Sequence, residues 1–271
     1  MVSVPFSSLF LQVSARLSAC IVALLVVIWA LYFKTSFIPR SSSQEDLIYA
    51  ILHPLLMVIG FILVSGEGNA NSVDGICFCG ARNAFNCWFS NILLSFSAIL
   101  VHRWLPGSRN LKKSVHLCLQ GLALGSGVFG IWTKFHSQEG IVANFYSLHS
   151  WMGLICITLF GAQWLLGFLN FWHKGEVRTT RVRVLPWHVF LGLYTYALAV
   201  VTAETGLLEK LTFLQTRGDV LRRCTESMVV NGLGLGLALL SGIVILAAVS
   251  PKHGAPHFKM MYTNNKWLSS Q

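Results

Sequence analysis

Six long apolar stretches dominate this chain, near residues 17–33, 49–66, 115–133, 145–172, 185–203 and 229–250, with lysines and arginines gathered in the segments between them. A helix needs about 20 mostly apolar residues to cross a hydrocarbon core of roughly 30 Å. Five stretches read clearly on that criterion, and the one second in chain order, Tyr49 to Gly66, is shorter than most. The pattern predicts six transmembrane helices. The first follows Arg16 with no small-residue cleavage site after it and is bounded by Lys34, so it is expected to stay as an uncleaved helix.

Composition agrees. Hydrophobic residues make up 54% of the 271 and charged residues 11%, too apolar for an ordinary soluble domain. The formal charge of +10 does not point to nucleic acid, because the cations sit between apolar spans. It points to membrane orientation. Lysine and arginine are retained on the cytoplasmic side, and Arg103, Arg109, Lys112 and Lys113 precede the third span while Lys174, Arg178, Arg181 and Arg183 precede the fifth. Lys252, Lys259 and Lys266 follow the last, so both termini are expected in the cytoplasm. The segment from Glu204 to Glu226 is the exception, with Lys210, Arg217, Arg222 and Arg223 on the opposite side.

Ionisable residues inside spans are costly and ask for a partner or a function. Four histidines qualify: His53 in ILHPLL, His116 in KKSVHLCLQ, His149 in NFYSLHSW and His188 in LPWHVF, one near the start of each of spans two to five. Because alternate spans enter from opposite sides, His53 and His149 share one depth and His116 and His188 the other. At about 1.5 Å of rise per residue the two pairs lie on the order of 18 Å apart. A single intramembrane histidine is more often a hydrogen-bond partner between helices than a ligand, but four at matched depths favour ligation. Two imidazoles from facing helices can hold a haem axially, with the porphyrin packed against apolar side chains. Zinc or proton transport is a weaker reading, since the spans carry almost no carboxylates. Cys20, Cys118, Cys156 and Cys224 lie in or beside spans without metal-ligand spacing and read as small packing residues. Cys77, Cys79 and Cys87 are three cysteines without a fourth ligand at usable spacing.

The segments HPLLMVIGFIL, GSRNLKKSVHLCLQ, KFH, NFYSLHSWMGL, LPWHVFLGLYTYALA and ETGLLEKLTF resemble the cytochrome b561 family of ascorbate-dependent transmembrane oxidoreductases, in particular its plant members, over Arg16 to about Pro251. The resemblance implies an all-α integral membrane fold of six helices with a four-helix core holding two haem b groups, and a cytoplasmic tail over 252–271. It implies that His53 with His149 ligates the non-cytoplasmic haem and His116 with His188 the cytoplasmic one. It further implies electron transfer from cytosolic ascorbate to monodehydroascorbate or a ferric chelate on the far side, a homodimer, and, by analogy with plant members, the vacuolar membrane. Ascorbate is an anion at neutral pH, and Lys112, Lys113, Arg181 and Arg183 flank the cytoplasmic ligands where they could orient it; their other role is topology. On the far side Lys134, Phe135, His136, Asn144 and Tyr146 form a polar and aromatic cluster before His149, where the acceptor is expected. Trp151 and Trp187 read as interfacial anchors, and the glycines of GLGLGLALLSG as close packing of the sixth helix. A haem-binding anchor for a partner oxidoreductase is the second reading and a non-haem metal or proton transporter the third.

One stretch departs from that pattern. After GFILVSGE the family pattern continues as AILVHRWLPGSRN, but thirty residues from Gly68 to Ser97 intervene. Gly68-Asn69 permits a splice-donor-like start and Phe96 to Ala98 permits pyrimidines followed by CAG, so a retained intron of ninety nucleotides, or a gene-model error, would account for them. In-phase removal restores Glu67-Ala98-Ile99. Ala84 to Val101 is apolar enough to suggest a seventh span, but that would invert every later loop against the positive-inside count and separate the histidine pairs, so an interfacial or irregular cytoplasmic excursion close to the ascorbate site is expected.

Overall fold

The computed structural model describes residues 8–37, 44–66, 99–101, 105, 107–136, 145–173 and 178–250. Within them six helices are long and apolar enough to cross a membrane. They are α1 (Ser8–Tyr32), α2 (Gln44–Leu55, continued by a π-helical segment Leu56–Leu63 and a last turn Val64–Gly66), α3 (Arg109–His136), α4 (Leu148–Phe168, continued as π-helix over Leu169–His173), α5 (Arg178–Arg217) and α6 (Thr225–Val249). No strand occurs among the described residues. Large apolar side chains point outward all round, among them Leu17, Leu24 and Leu31 on α1 and Leu235 and Leu239 on α6. In water this would be costly; against lipid tails it is the expected exterior.

The helices pack in two groups. α2, α3, α4 and α5 surround the histidines, with α3 against the π-segment of α2 and α4 against α5, while α1 lies along α6 and α6 along α5. The core joins the groups: Val22, Val26 and Trp29 of α1, Phe61 and Ile62 of α2, Tyr196 and Val200 of α5, and Leu233, Leu237 and Leu240 of α6 are buried. Small residues make the close approaches. A methyl group on Gly236 would come within 3.0 Å of Val22, and one on Gly234 within 2.8 Å of Glu204, so the glycine run of α6 is a packing surface toward α1 and α5.

Proline shapes α2. Pro54 lies inside the helix and cannot donate to the carbonyl one turn back. The backbone then widens to the π form over the next eight residues, a local adjustment that re-satisfies freed carbonyls. It begins three residues after His53, so the turn that carries His53 is one where the ladder is already irregular.

Helix ends differ from the sequence expectation in a consistent direction. α3 begins at Arg109 and α5 at Arg178, so Lys112, Lys113, Arg181 and Arg183 stand on opening helical turns and not in loops. α5 runs to Arg217, 40 residues, about 60 Å at 1.5 Å per residue and twice the hydrocarbon core. The exceptional cations Lys210 and Arg217 therefore belong to a helix that outruns the apolar stretch. Lys210 Nζ donates to the Phe37 carbonyl (3.2 Å) and the Arg217 guanidinium lies over Phe213 at 4.1 Å. The start of α6 is clamped nearby: buried Glu226 accepts from Trp29 Nε1 (3.2 Å) and Ser36 Oγ (2.8 Å), joining α1 and the 3₁₀ turn Lys34–Ser36.

The stretch 68–97 and the tail 252–271 lie outside the described residues. The described flanks of the former nonetheless meet. The Ile99 N–H donates to the Ser65 carbonyl at 3.1 Å, and with 68–97 left out Ile99 is the fourth residue after Ser65. This is the i→i+4 bond of a continuous α-helix. Leu105 N donates to Val101 O at 3.0 Å beyond it, so the helical course of α2 is resumed at Ile99.

Candidate functional site

The four span histidines meet in two pairs. His53 of α2 and His149 of α4 have ring centroids 6.2 Å apart with planes at 89°; His116 of α3 and His188 of α5 are 6.1 Å apart at 68°. Each pair bridges two helices of the four-helix group.

Second partners orient the rings. His53 Nδ1 lies 2.8 Å from the Gly130 carbonyl and His149 Nδ1 2.8 Å from the Thr202 carbonyl. A carbonyl only accepts, so both rings carry their proton on Nδ1 and present Nε2 as a lone pair. This is how metal-binding imidazoles are commonly held. Each carbonyl also accepts a threonine hydroxyl three residues on, Thr133 onto Gly130 and Thr205 onto Thr202, both at 2.8 Å. Glycine leaves room for two of the rings: a methyl group on Gly206 would stand 2.6 Å from His149 Cε1, and one on Gly167 2.9 Å from His188 Cε1.

The two sites are stacked along the bundle. Gly130 is fourteen residues beyond His116 on α3, and Thr202 is fourteen beyond His188 on α5, so both helices put roughly 21 Å between the pairs. That is close to the separation expected from the sequence.

The pairs fit a haem iron. Two imidazole nitrogens each about 2 Å from one metal, with ring centres roughly 1 Å further out, put the centroids roughly 6 Å apart, the spacing found twice here. No three His, Cys, Asp or Glu side chains converge among the described residues, whereas zinc takes three or four protein ligands. Two axial imidazoles are what a macrocycle with its own in-plane nitrogens requires. Around His116 and His188 a cavity of about 1190 Å³ opens, walled by Phe160, Trp164, Phe168 and Leu193 among others, ample beside the ~300–1,000 Å³ of usual ligand pockets.

Cations edge that cavity. Arg109, Lys112, Lys113 and Arg181 line it, and Lys113 Nζ also donates to the Phe171 carbonyl at 3.3 Å. Arg183 is exposed and stands outside the lining, while Arg109 is a lining cation that the expected set did not include. These cations stand at the N-termini of α3 and α5, where helix dipoles add positive potential, so an anion is favoured there twice over. Gln120 and Gln163 are further cavity residues that the sequence reading passed over. Gln120 is one helical turn from His116 and Gln163 two residues after Gly161, spacings that carry no motif.

At the opposite end the expected acceptor cluster is spread over several elements. Lys134, Phe135 and His136 close α3. His136 packs between Tyr49 (4.6 Å) and Trp132 (5.0 Å), and Phe135 meets Phe145 at 5.5 Å. Tyr146 donates its hydroxyl to Glu209 of α5 at 3.2 Å. Asn144 lies outside the described residues. Trp151 and Trp187 are exposed on the bundle exterior, as interfacial anchors are. Glu209 is the residue here that the sequence reading did not single out.

Comparison with known proteins follows the same line. A family model described as "Eukaryotic cytochrome b561" matches residues 84–214. The chain is 60% identical to "Probable transmembrane ascorbate ferrireductase 4" of Arabidopsis thaliana over 93% of its own length and 90% of that protein. It is 41% identical to "Transmembrane ascorbate ferrireductase 2" of the same plant (88% and 90%) and 37% identical to "Ascorbate-specific transmembrane electron transporter 2" of Zea mays (88% of each). With helical architecture, paired histidines and relatives of this identity in agreement, the chain belongs to the cytochrome b561 family.

Proposed function

We propose that this protein is a multi-pass membrane oxidoreductase that carries electrons from ascorbate across the bilayer, holding two haem b groups between His53 and His149 and between His116 and His188. Haem b held by these imidazoles would supply an iron that takes up and gives back one electron. The chain supplies everything else. Nδ1 hydrogen bonds fix ring orientation and leave Nε2 available, lipid-facing helices exclude water, and two sites at different depths put a redox centre near either face.

The donor is bound, in this reading, at the cytoplasmic mouth of the His116–His188 cavity. Lys112, Lys113, Arg181 and Arg109 attract the ascorbate monoanion by charge and hold it by charge-assisted hydrogen bonds; Arg183 contributes from outside the lining. The acceptor, monodehydroascorbate or a ferric chelate, is received at the far mouth by Lys134, Phe135, His136, Asn144 and Tyr146. Both termini lie in the cytoplasm in this orientation, which the cations of α3 and α5 favour, and the vacuolar membrane and a homodimer complete the proposal by family analogy. The observation that carries the reading is the duplicated 6 Å imidazole pairing.

Proteoliposomes loaded with ascorbate and given an external ferric chelate test it. Ferrous iron should accumulate outside, trapped by a ferrous-specific chelator, at a rate that His188→Ala abolishes. A rate equal to that of protein-free vesicles contradicts it.

A further inference from the structure

The cytoplasmic ligand His188 is oriented differently from the other two rings whose Nδ1 partners are described. His53 and His149 face backbone carbonyls, each shared with a threonine hydroxyl. His188 faces a side chain: the Gln163 amide nitrogen lies 2.9 Å from Nδ1 and 2.6 Å from the His188 carbonyl oxygen. Gln163 stands on α4, so the contact crosses helices, and it lines the same cavity.

That placement has a chemical consequence. An imidazole that gives its Nε2 lone pair to iron while neutral carries its proton on Nδ1 and needs an acceptor there. The amide nitrogen of Gln163 is a donor, but a half-turn of the amide exchanges oxygen and nitrogen at nearly equal shape. The half-turn alone would set Oε1 against the His188 carbonyl oxygen, 2.6 Å from the present amide nitrogen, so the side chain must also swing off that carbonyl toward Nδ1; the carbonyl lies inside α5, where the amide one turn on serves it.

We infer that Gln163 is the positioning residue of the cytoplasmic haem: its Oε1 accepts from His188 Nδ1–H, selects the ligating tautomer and sets how strongly that ring donates to iron. The inference rests on the proposal that His188 ligates haem. A stronger acceptor at Nδ1 gives the ring more imidazolate character, which favours ferric over ferrous iron; loss of the acceptor does the reverse. Since the partner is a side chain and not a backbone carbonyl, this site can be retuned by one substitution without disturbing the helix ladder. The His53–His149 site, built on the Gly130 and Thr202 carbonyls, cannot.

The test is a redox titration of detergent-purified holoprotein carrying Gln163→Glu or Gln163→Leu, with haem content and low-spin electron paramagnetic resonance recorded on each. Gln163→Glu should lower the midpoint of one of the two haem steps, and Gln163→Leu should raise that same step. Each change should be at least tenfold in the ferric-to-ferrous ratio at fixed potential, 59 mV for a one-electron couple, with the other step unmoved. If Gln163→Leu loses haem through a ligand affinity weakened ~10–100-fold, the Glu variant alone decides. Unchanged midpoints and resonance in variants that retain both haems overturn the inference, as do shifts in the same direction. His188→Ala separates the levels: if it loses one haem while the Gln163 variants behave as wild type, ligation stands and the role of Gln163 falls; if it loses none, the ligation proposal itself falls.

Discussion

At the scale of single residues, the imidazole pairs depend on what is absent beside them as much as on the rings. Gly206 and Gly167 each stand where a methyl group would come within 3 Å of a histidine Cε1, against the edge between the two ring nitrogens. Gly206→Ala should therefore displace His149 and lower occupancy of the His53–His149 site alone, and Gly167→Ala should do the same to His188 and its site. Pyridine haemochrome assay with redox titration reads this as loss of one step in each variant, a different one in the two cases; loss of both steps together would contradict separate sites. The histidines were legible in the sequence because an ionisable group in an apolar span stands out. Their supports were not. A glycine is visible only as a gap, the carbonyls of Gly130 and Thr202 belong to no particular side chain, and Gln163 and Gln120 become neighbours of the histidines only once α3, α4 and α5 are packed.

At the scale of elements, six spans follow directly from apolar run length, whereas their ends do not. Cations at 109–113 and 178–183 look like loop residues, yet α3 and α5 begin among them because a helix continues past the hydrocarbon boundary as long as water serves its exposed groups. The clamp on α6 was equally hidden, since Glu226, Trp29 and Ser36 are brought together across nearly two hundred residues. Glu226→Gln removes charge from two hydrogen bonds of a buried carboxylate. At ~1.5–3 kcal/mol for a bond to a charged group, thermal unfolding should shift downward while the haem spectrum is preserved, because the clamp joins α1 and α6, which carry none of the four histidines. An unchanged melting temperature would show that the clamp contributes nothing. For α2, the Ser65–Ile99 hydrogen bond predicts that deleting residues 68–97 joins Glu67 to Ala98 in helical register. The shortened protein should melt at or above the temperature of the full chain and retain both haems. Loss of haem or a lower melting temperature in the shortened form would contradict that register.

For the whole molecule, the duplicated site is what separates a transmembrane carrier from a helical bundle with a single cofactor. α3 supplies His116 toward one end and the Gly130 carbonyl toward the other; α5 does the same with His188 and Thr202. Each of these helices thus serves both sites, roughly 21 Å apart, and a cation-lined cavity marks one end. The family and the helical class were readable from motifs and apolar runs, because both live in contiguous sequence. The distribution of the residues proposed to receive the acceptor over α3, α5 and the approach to α4 was not, since Glu209 reaches Tyr146 across 63 residues. The most direct test of the account is the haem-to-protein ratio of the purified chain, taken with its visible spectrum before and after ascorbate. The account predicts two low-spin bis-histidine haems per chain, both reducible by ascorbate, with one lost in His53→Ala and the other in His116→Ala. A single haem that survives either substitution would contradict it.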